Sequence, residues 1–168
     1  MSRIWKFGDD VDTDQILPGR YAPYMTDEAE LARYAFIEHR PEFCRLAQKS
    51  DVIVAGKNFG CGSSREYAPR SLQKCGIAAI IARDFARIFY RNALNLGLPL
   101  FEADIASQVE DGAEVELDVE EGVLRAGGRE FRLPPPPEFV RQVWATGGIV
   151  SYFRQHGHFP GAAWMADS

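Results

Sequence analysis

An α/β domain with a mixed sheet is the fold class this sequence predicts, and three observations predict it. Short apolar runs alternate with helical patterns through the middle of the chain, as parallel strands joined by helical crossovers do. After Pro99 the period drops to two and glycines mark the turns, which reads as an antiparallel meander. At 168 residues, 46% hydrophobic and 26% charged, the chain reads as one domain, 1–168, large enough to bury its own core.

The elements follow in order. Ile4 to Phe7 reads as a first short strand, and Gly8-Asp9-Asp10-Val11-Asp12-Thr13-Asp14-Gln15-Ile16 follows as a polar loop with four aspartates. Asp27-Glu28-Ala29-Glu30 has the capping chemistry of a helix start, with that helix running to about Phe36, and Pro41 opens another. Asp51-Val52-Ile53-Val54-Ala55 is a buried strand, followed by a glycine-rich loop and a helix from about 64 to 74. Ile77-Ala78-Ala79-Ile80-Ile81-Ala82 is the next strand. A helix over 84–95 follows, with Asp84 as its N-cap and Gly97 as its stop.

Beyond Pro99, Ala113 to Val119 alternates with period two, and shorter alternating runs follow around Val123-Leu124-Arg125 and Arg129 to Leu133. Glu121-Gly122 and Ala126-Gly127-Gly128 supply the turns. Pro134 to Pro137 ends the meander. Glu138 to Ala145 then starts a helix, and Gly147-Gly148 separates it from a last helical stretch, Ile149 to Gln155.

A formal net charge of -5 and a pI near 5.2 argue against a nucleic-acid or membrane-surface role. No apolar stretch approaches a membrane span and Met1 to Lys6 carries no signal-peptide core, so a cytoplasmic location is expected. Cys44, Cys61 and Cys75 are an odd set spaced 17 and 14 apart, which is neither a disulfide framework nor a zinc or iron–sulfur ligand pattern. His39, His156 and His158 make no metal set either, and the last two read as a solvated tail.

The chemistry points to Gly56-Lys57-Asn58-Phe59-Gly60-Cys61-Gly62-Ser63-Ser64-Arg65-Glu66. It leaves the carboxyl end of a predicted parallel strand, where ligands gather. Its glycines admit a ligand close to the backbone, and two hydroxyls and a guanidinium stand where the next helix begins, a natural place to hold an anion. Other readings compete. Ser63 and Glu66 have the spacing of a capping box. Gly60-x-Gly62-x-x-Arg65 is part of a dinucleotide fingerprint with Asp84 downstream, but Arg65 stands where helix–strand packing needs a third glycine. The four aspartates lack the EF-hand spacing and its closing glutamate.

Taken together, Gly60-x-Gly62-Ser63-Ser64-Arg65-Glu66 and Asp12-Thr13-Asp14-x-Ile16-x-Pro18-x-Arg20-Tyr21 resemble the aconitase swivel-domain family. That family includes the small subunits of isopropylmalate isomerase (3-isopropylmalate dehydratase) and of homoaconitase. The likeness covers nearly the whole chain, including Asp84-Phe85-Ala86-Arg87-Ile88-Phe89. It implies a three-layer swivelling β/β/α domain and a hydro-lyase that isomerises a hydroxy di- or tricarboxylate by dehydration and rehydration. It also implies a large partner subunit carrying a [4Fe–4S] cluster, with no metal held by this chain. Carried over by position, Ser63 is the base that takes the carbon-bound proton and Arg65 clamps a substrate carboxylate. Ser64 hydrogen-bonds the substrate, and Asp14 lies in the wall of the assembled site. Arg20, Tyr21, Ala22, Pro23 and Tyr24 contact the substrate, and the segment just after the Arg20-Tyr21 pair selects it.

A serine base demands a physical account. An alcohol's pKa is on the order of water's ~15.7. Lowering it by about eight units takes roughly 11 kcal/mol at ~1.36 kcal/mol per unit. A helix N-terminus supplies only ~0.3–2 kcal/mol of that. Arg65, the loop amides and exclusion of water add to it, as in an oxyanion hole. The isolated chain therefore does not make its own base, and the closed complex must finish the activation.

Tyr21-Ala22-Pro23-Tyr24-Met25 carries no cation to hold a third carboxylate, so an apolar substituent on a malate-type dicarboxylate is expected. Ala22-Pro23 departs from the leucine and aliphatic residue of the isopropylmalate enzymes, which leaves a smaller alkylmalate or a homoaconitase-type substrate open. A non-catalytic anion-binding module is the remaining alternative.

Overall fold

The computed structural model describes residues 1–24, 27, 29–63 and 66–158, with backbone alone at 22–24. Four parallel strands form the central sheet in chain order: β1 (Ile4–Lys6), β2 (Val52–Ala55), β3 (Ala79–Ala82) and β4 (Leu100–Glu102). The interior strands β2 and β3 are buried at every residue, which is why they read as unbroken apolar runs rather than alternating ones.

Right-handed crossovers between strands laid down in one direction deliver every connecting helix to the same face. The first crossover carries α1 (Thr13–Ile16), a 3-10 turn (Gly19–Tyr24), α2 (Ala29–Tyr34) and α3 (Glu42–Leu46). The second carries α4 (Tyr67–Lys74) and the third α5 (Arg87–Leu96). On that face Trp5, Ile53, Ala55, Ile80 and Ala82 pack against Leu72 of α4, Phe89 and Ala93 of α5, and Phe36 and Phe43. Trp5 and Phe43 meet edge to face at 4.9 Å, a favoured geometry for two aromatic rings.

The alternate residues Ile4, Val52, Val54, Ala79, Ile81 and Phe101 face the other way and need a second cover. The meander β5 (Val115–Asp118), β6 (Val123–Ala126) and β7 (Arg129–Arg132) provides it, burying Val115, Leu124 and Ala126. Next come α6 (Glu138–Thr146), which sets Trp144 edge-on to Phe101 at 5.3 Å, and α7 (Ile149–His156). Meander, parallel sheet and helices make the three layers β/β/α.

The parallel and antiparallel pairings occupy separate sheets. They meet where Arg3 bridges Glu114 antiparallel and Ile4 N–H donates to the Ala113 carbonyl. At the start of β2 the Asp51 carboxylate is fully buried, and it accepts from Arg3 N, Trp5 Nε1 and Gln48 N at 2.9–3.0 Å. Three donors offset the cost of taking a charge out of water.

Two helix starts differ from expectation. The helix placed at about 64 begins at Tyr67, with Glu66 at its N-cap position and no side-chain cap. The helix placed at 84 begins at Arg87 behind Ala86, so Asp84 is not its cap. Tertiary partners claim Asp84 instead.

Candidate functional site

Because β1 and β2 are neighbours, the loops that leave their carboxyl ends run side by side. A ladder of backbone bonds joins them: Gly56 N to Gly8 O, Asp10 N to Lys57 O, Gly60 N to Val11 O, and Thr13 N to Cys61 O. Asp12 and Cys61 thereby form a parallel bridge well beyond the strands themselves. On the other flank Phe59 N bonds Asp84 O and Ala86 N bonds Phe59 O, while the Asp84 carboxylate accepts from Asn58 N at 2.6 Å. The glycine-rich loop is thus laced on both sides.

The aspartate loop is structural at each acid. Asp9 accepts from Lys57 N at 2.9 Å, and Asp10 accepts from Asn58 Nδ2 at 3.1 Å. Asp12 caps α1 by accepting from Gln15 N at 2.7 Å, and Gln15 Oε1 accepts from Asp12 N at 3.0 Å, a complete capping box. Asp14 takes the Gly19 amide at 3.0 Å and so fixes the entry to the Gly19–Tyr24 turn.

Ser63 lies exposed at the tip of the glycine-rich loop. Since α4 begins only at Tyr67, Ser63 is not spent as a helix cap. Its carbonyl oxygen accepts from Thr13 Oγ1 at 3.0 Å, and its Oγ lies 3.4 Å from the same Thr13 oxygen. Two glycines make this packing possible. At Gly60, with φ +86°, a Cβ would land on the Phe89 ring, and at Gly62 one would sit 3.3 Å from Thr13 Oγ1.

The neighbouring Cys61 thiol is pushed up by partial burial and then by the Asp12 and Asp10 carboxylates. It stays protonated at neutral pH and offers no thiolate nucleophile. Burial raises the Cys75 thiol to about 12. Among the described residues no group of three or more His, Cys, Asp or Glu is placed to hold a metal ion, and the three cysteines are free.

The structure therefore brings Ser63 against Thr13, next to Asp14 in the chain. Arg20 and Tyr21 turn to the helices behind. Arg20 pairs with Glu38 and lies 5.3 Å over the Tyr21 ring, which stacks on Tyr34 at 4.7 Å. Ser64 and Arg65 lie outside the described residues, as do the side chains of Ala22, Pro23 and Tyr24. Sequence reasoning missed Thr13 and the bracing role of Asp84. The signal for Thr13 was a β-branched hydroxyl inside the Asp12-Thr13-Asp14 motif that reads equally well as a helix start. A cavity of about 930 Å³ lies elsewhere, against the meander, lined by Glu114, Glu116, Arg125 and Arg129, which belong to neither motif.

Both motifs, apart from Asp12 at the start of the first, fall within residues 13–103, which match the family described as the aconitase C-terminal domain. The chain belongs to that family. Among curated members of the aconitase family, it is 52% identical over 161 residues to 3-isopropylmalate dehydratase small subunit 1 of Deinococcus radiodurans, covering 96% of this chain and 91% of that one. It is 50% identical over 162 residues to the homoaconitase small subunit of Thermus thermophilus, covering 96% and 99%. A crystal structure of 3-isopropylmalate dehydratase from Methanocaldococcus jannaschii superposes with a TM-score of 0.87 at 40% identity, covering 99% of this chain and 98% of that chain. The aconitase-type three-layer fold is thus common to both.

Proposed function

We propose that this chain is the small subunit of a heteromeric hydro-lyase that isomerises a 2-hydroxy dicarboxylate by dehydration and rehydration. The substrate we favour is 2-isopropylmalate, converted to 3-isopropylmalate in leucine biosynthesis. The observation that carries the reading is an uncapped, exposed Ser63 hydroxyl held to the Asp12–Asp14 motif, in a chain whose relatives are small subunits of such enzymes.

The homoaconitase reading stands beside it, because identity of 50% against 52% does not separate the two substrates. The absence of a cation in Tyr21-Ala22-Pro23-Tyr24-Met25 favours the apolar substituent.

Ser63 takes the proton from the carbon beside the hydroxyl-bearing one and returns it in the hydration half-reaction. Arg65 clamps a substrate carboxylate, Ser64 hydrogen-bonds the substrate, and Asp14 forms part of the wall. A [4Fe–4S] cluster does not fit the dispersed cysteines of this chain, so departure of the hydroxyl is assigned to the large subunit. An exposed serine in water is not a base. Closure against the large subunit removes that water and completes the site.

Reconstitution with the large subunit tests this. The isolated chain should be inert and the pair active, and a panel of alkylmalates and homoaconitate identifies the substrate. Ser63→Ala should cut turnover at least ~100-fold, the scale of a lost general base, with the complex still assembling on gel filtration. Undiminished turnover in that variant would remove Ser63 from the chemistry.

A further inference from the structure

We propose that Thr13 sets the basicity of Ser63, as a positioning residue whose single hydroxyl proton serves two acceptors in turn. This inference rests on the reading of Ser63 as the base. Thr13 is 2% exposed and rigidly placed: its amide bonds Cys61 O at 2.8 Å, and its Oγ1 sits over Gly62. From there Oγ1 reaches both the Ser63 carbonyl at 3.0 Å and the Ser63 Oγ at 3.4 Å.

A threonine hydroxyl has one proton and lone pairs to accept with. While that proton is donated to the Ser63 carbonyl, Thr13 offers Ser63 Oγ only lone pairs. The neutral Ser63 hydroxyl then donates inward to Thr13. Once closure has activated Ser63 and its proton has left with the water expelled from its exposed side, its oxygen accepts only. The Thr13 proton then turns from the carbonyl to Ser63 Oγ by rotation about the Cβ–Oγ1 bond. The contact, long for a neutral pair, shortens toward ~2.6 Å as a charge-assisted one. When Ser63 takes the substrate's proton its hydroxyl re-forms, and the Thr13 proton returns to the carbonyl. No proton is gained or lost by Thr13 over the cycle. A donor that is engaged elsewhere until the oxyanion exists stabilises the base form, and buried placement makes that donor stronger than water would be.

The experiment compares Thr13→Val and Thr13→Ser in the reconstituted two-subunit enzyme. Thr13→Val keeps the shape and removes the hydroxyl, so kcat should fall ~100-fold with KM within about twofold, the scale of one lost oxyanion donor. The acid limb of kcat against pH should move to higher pH, because the base form has lost its donor. Thr13→Ser should restore most of kcat and return the limb. Charged or titratable groups on the surrounding elements are Asp10, Asp12 and Asp14 on the aspartate loop, Lys57, Cys61, Arg65 and Glu66 along the sequence of the site loop, and Tyr67, Arg70 and Lys74 on α4. All are common to the three proteins, so a limb that moves reports the hydroxyl.

An unchanged kcat and limb in Thr13→Val would overturn the inference. So would equal losses in the Val and Ser variants with an unmoved limb, which mean packing alone. Adding Ser63→Ala separates the two proposals. If Ser63→Ala abolishes turnover while Thr13→Val is silent, only the Thr13 role falls. If Ser63→Ala is itself silent, the base assignment falls and takes this one with it. A double variant no slower than Ser63→Ala alone supports both.

Discussion

Gly60 holds its backbone at φ +86° directly under the Phe89 ring, so the loop that carries Ser63 turns at a point where no side chain fits. Gly60→Ala combines left-handed strain of ~1–2 kcal/mol with overpacking of ~1–3 kcal/mol. We expect a loss of at least ~2 kcal/mol in urea unfolding of the isolated chain. A wild-type midpoint would show that Phe89 yields freely. The structural role of Gly60 was legible in the sequence, because a tight turn at positive φ calls for glycine. The roles of Asn58, Asp84 and Thr13 were not, since each depends on a partner 26 to 50 residues away. A hydrogen bond across such a distance leaves no trace in local pattern.

Among the elements, α1 is a single turn of four residues, too short to persist on propensity. The Asp12 capping box and the bridge to Cys61 hold it, and with it Thr13. Asp12→Ala should cost ~1 kcal/mol, the usual worth of such a cap, and should lower turnover further than that loss of stability explains, because Thr13 loses its footing. Full activity at an unchanged unfolding midpoint would show that the bridge suffices.

Six of the seven strands among the described residues and most of the helices were readable from period and punctuation, while the three-residue strand β4 and the single turn α1 went unread. Two helix starts were also missed. Asp84 has the chemistry of a cap, but the Asn58 amide competes for its carboxylate and wins. Ser63 and Glu66 have capping-box spacing, but the helix waits until Tyr67. The division of parallel and antiparallel strands into two sheets was equally hidden, because periodicity describes a strand's faces and not its neighbours.

Across the whole molecule, Arg40 ties the layers together. Its guanidinium lies 4.7 Å over Trp5 and 5.2 Å over Phe7, donates to Lys6 O at 2.9 Å, and pairs with Asp111 at 2.6 Å just ahead of the meander. Burial pushes the Asp111 carboxyl up. The Lys6 amide and the Arg40 guanidinium outweigh that and hold it below the usual carboxylate range. A lowered pKa contributes stability above the unfolded value of ~3.9, lost as pH falls through the folded one. Asp111→Asn should therefore cost up to about 1 kcal/mol at neutral pH, since the Asp111 side chain is half exposed and screened. The gap between variant and wild type should close in acid. A gap that persists at low pH would point to shape rather than charge.

Because adjacent strands launch the glycine-rich and aspartate loops, and five backbone or bridge contacts weld them, Ser63, Thr13 and Asp14 travel as a single jaw. Whatever closes on this end of the sheet meets those three groups already set beside one another. The entropy of arranging those groups was settled when the chain folded, and none of it remains to be overcome at the encounter.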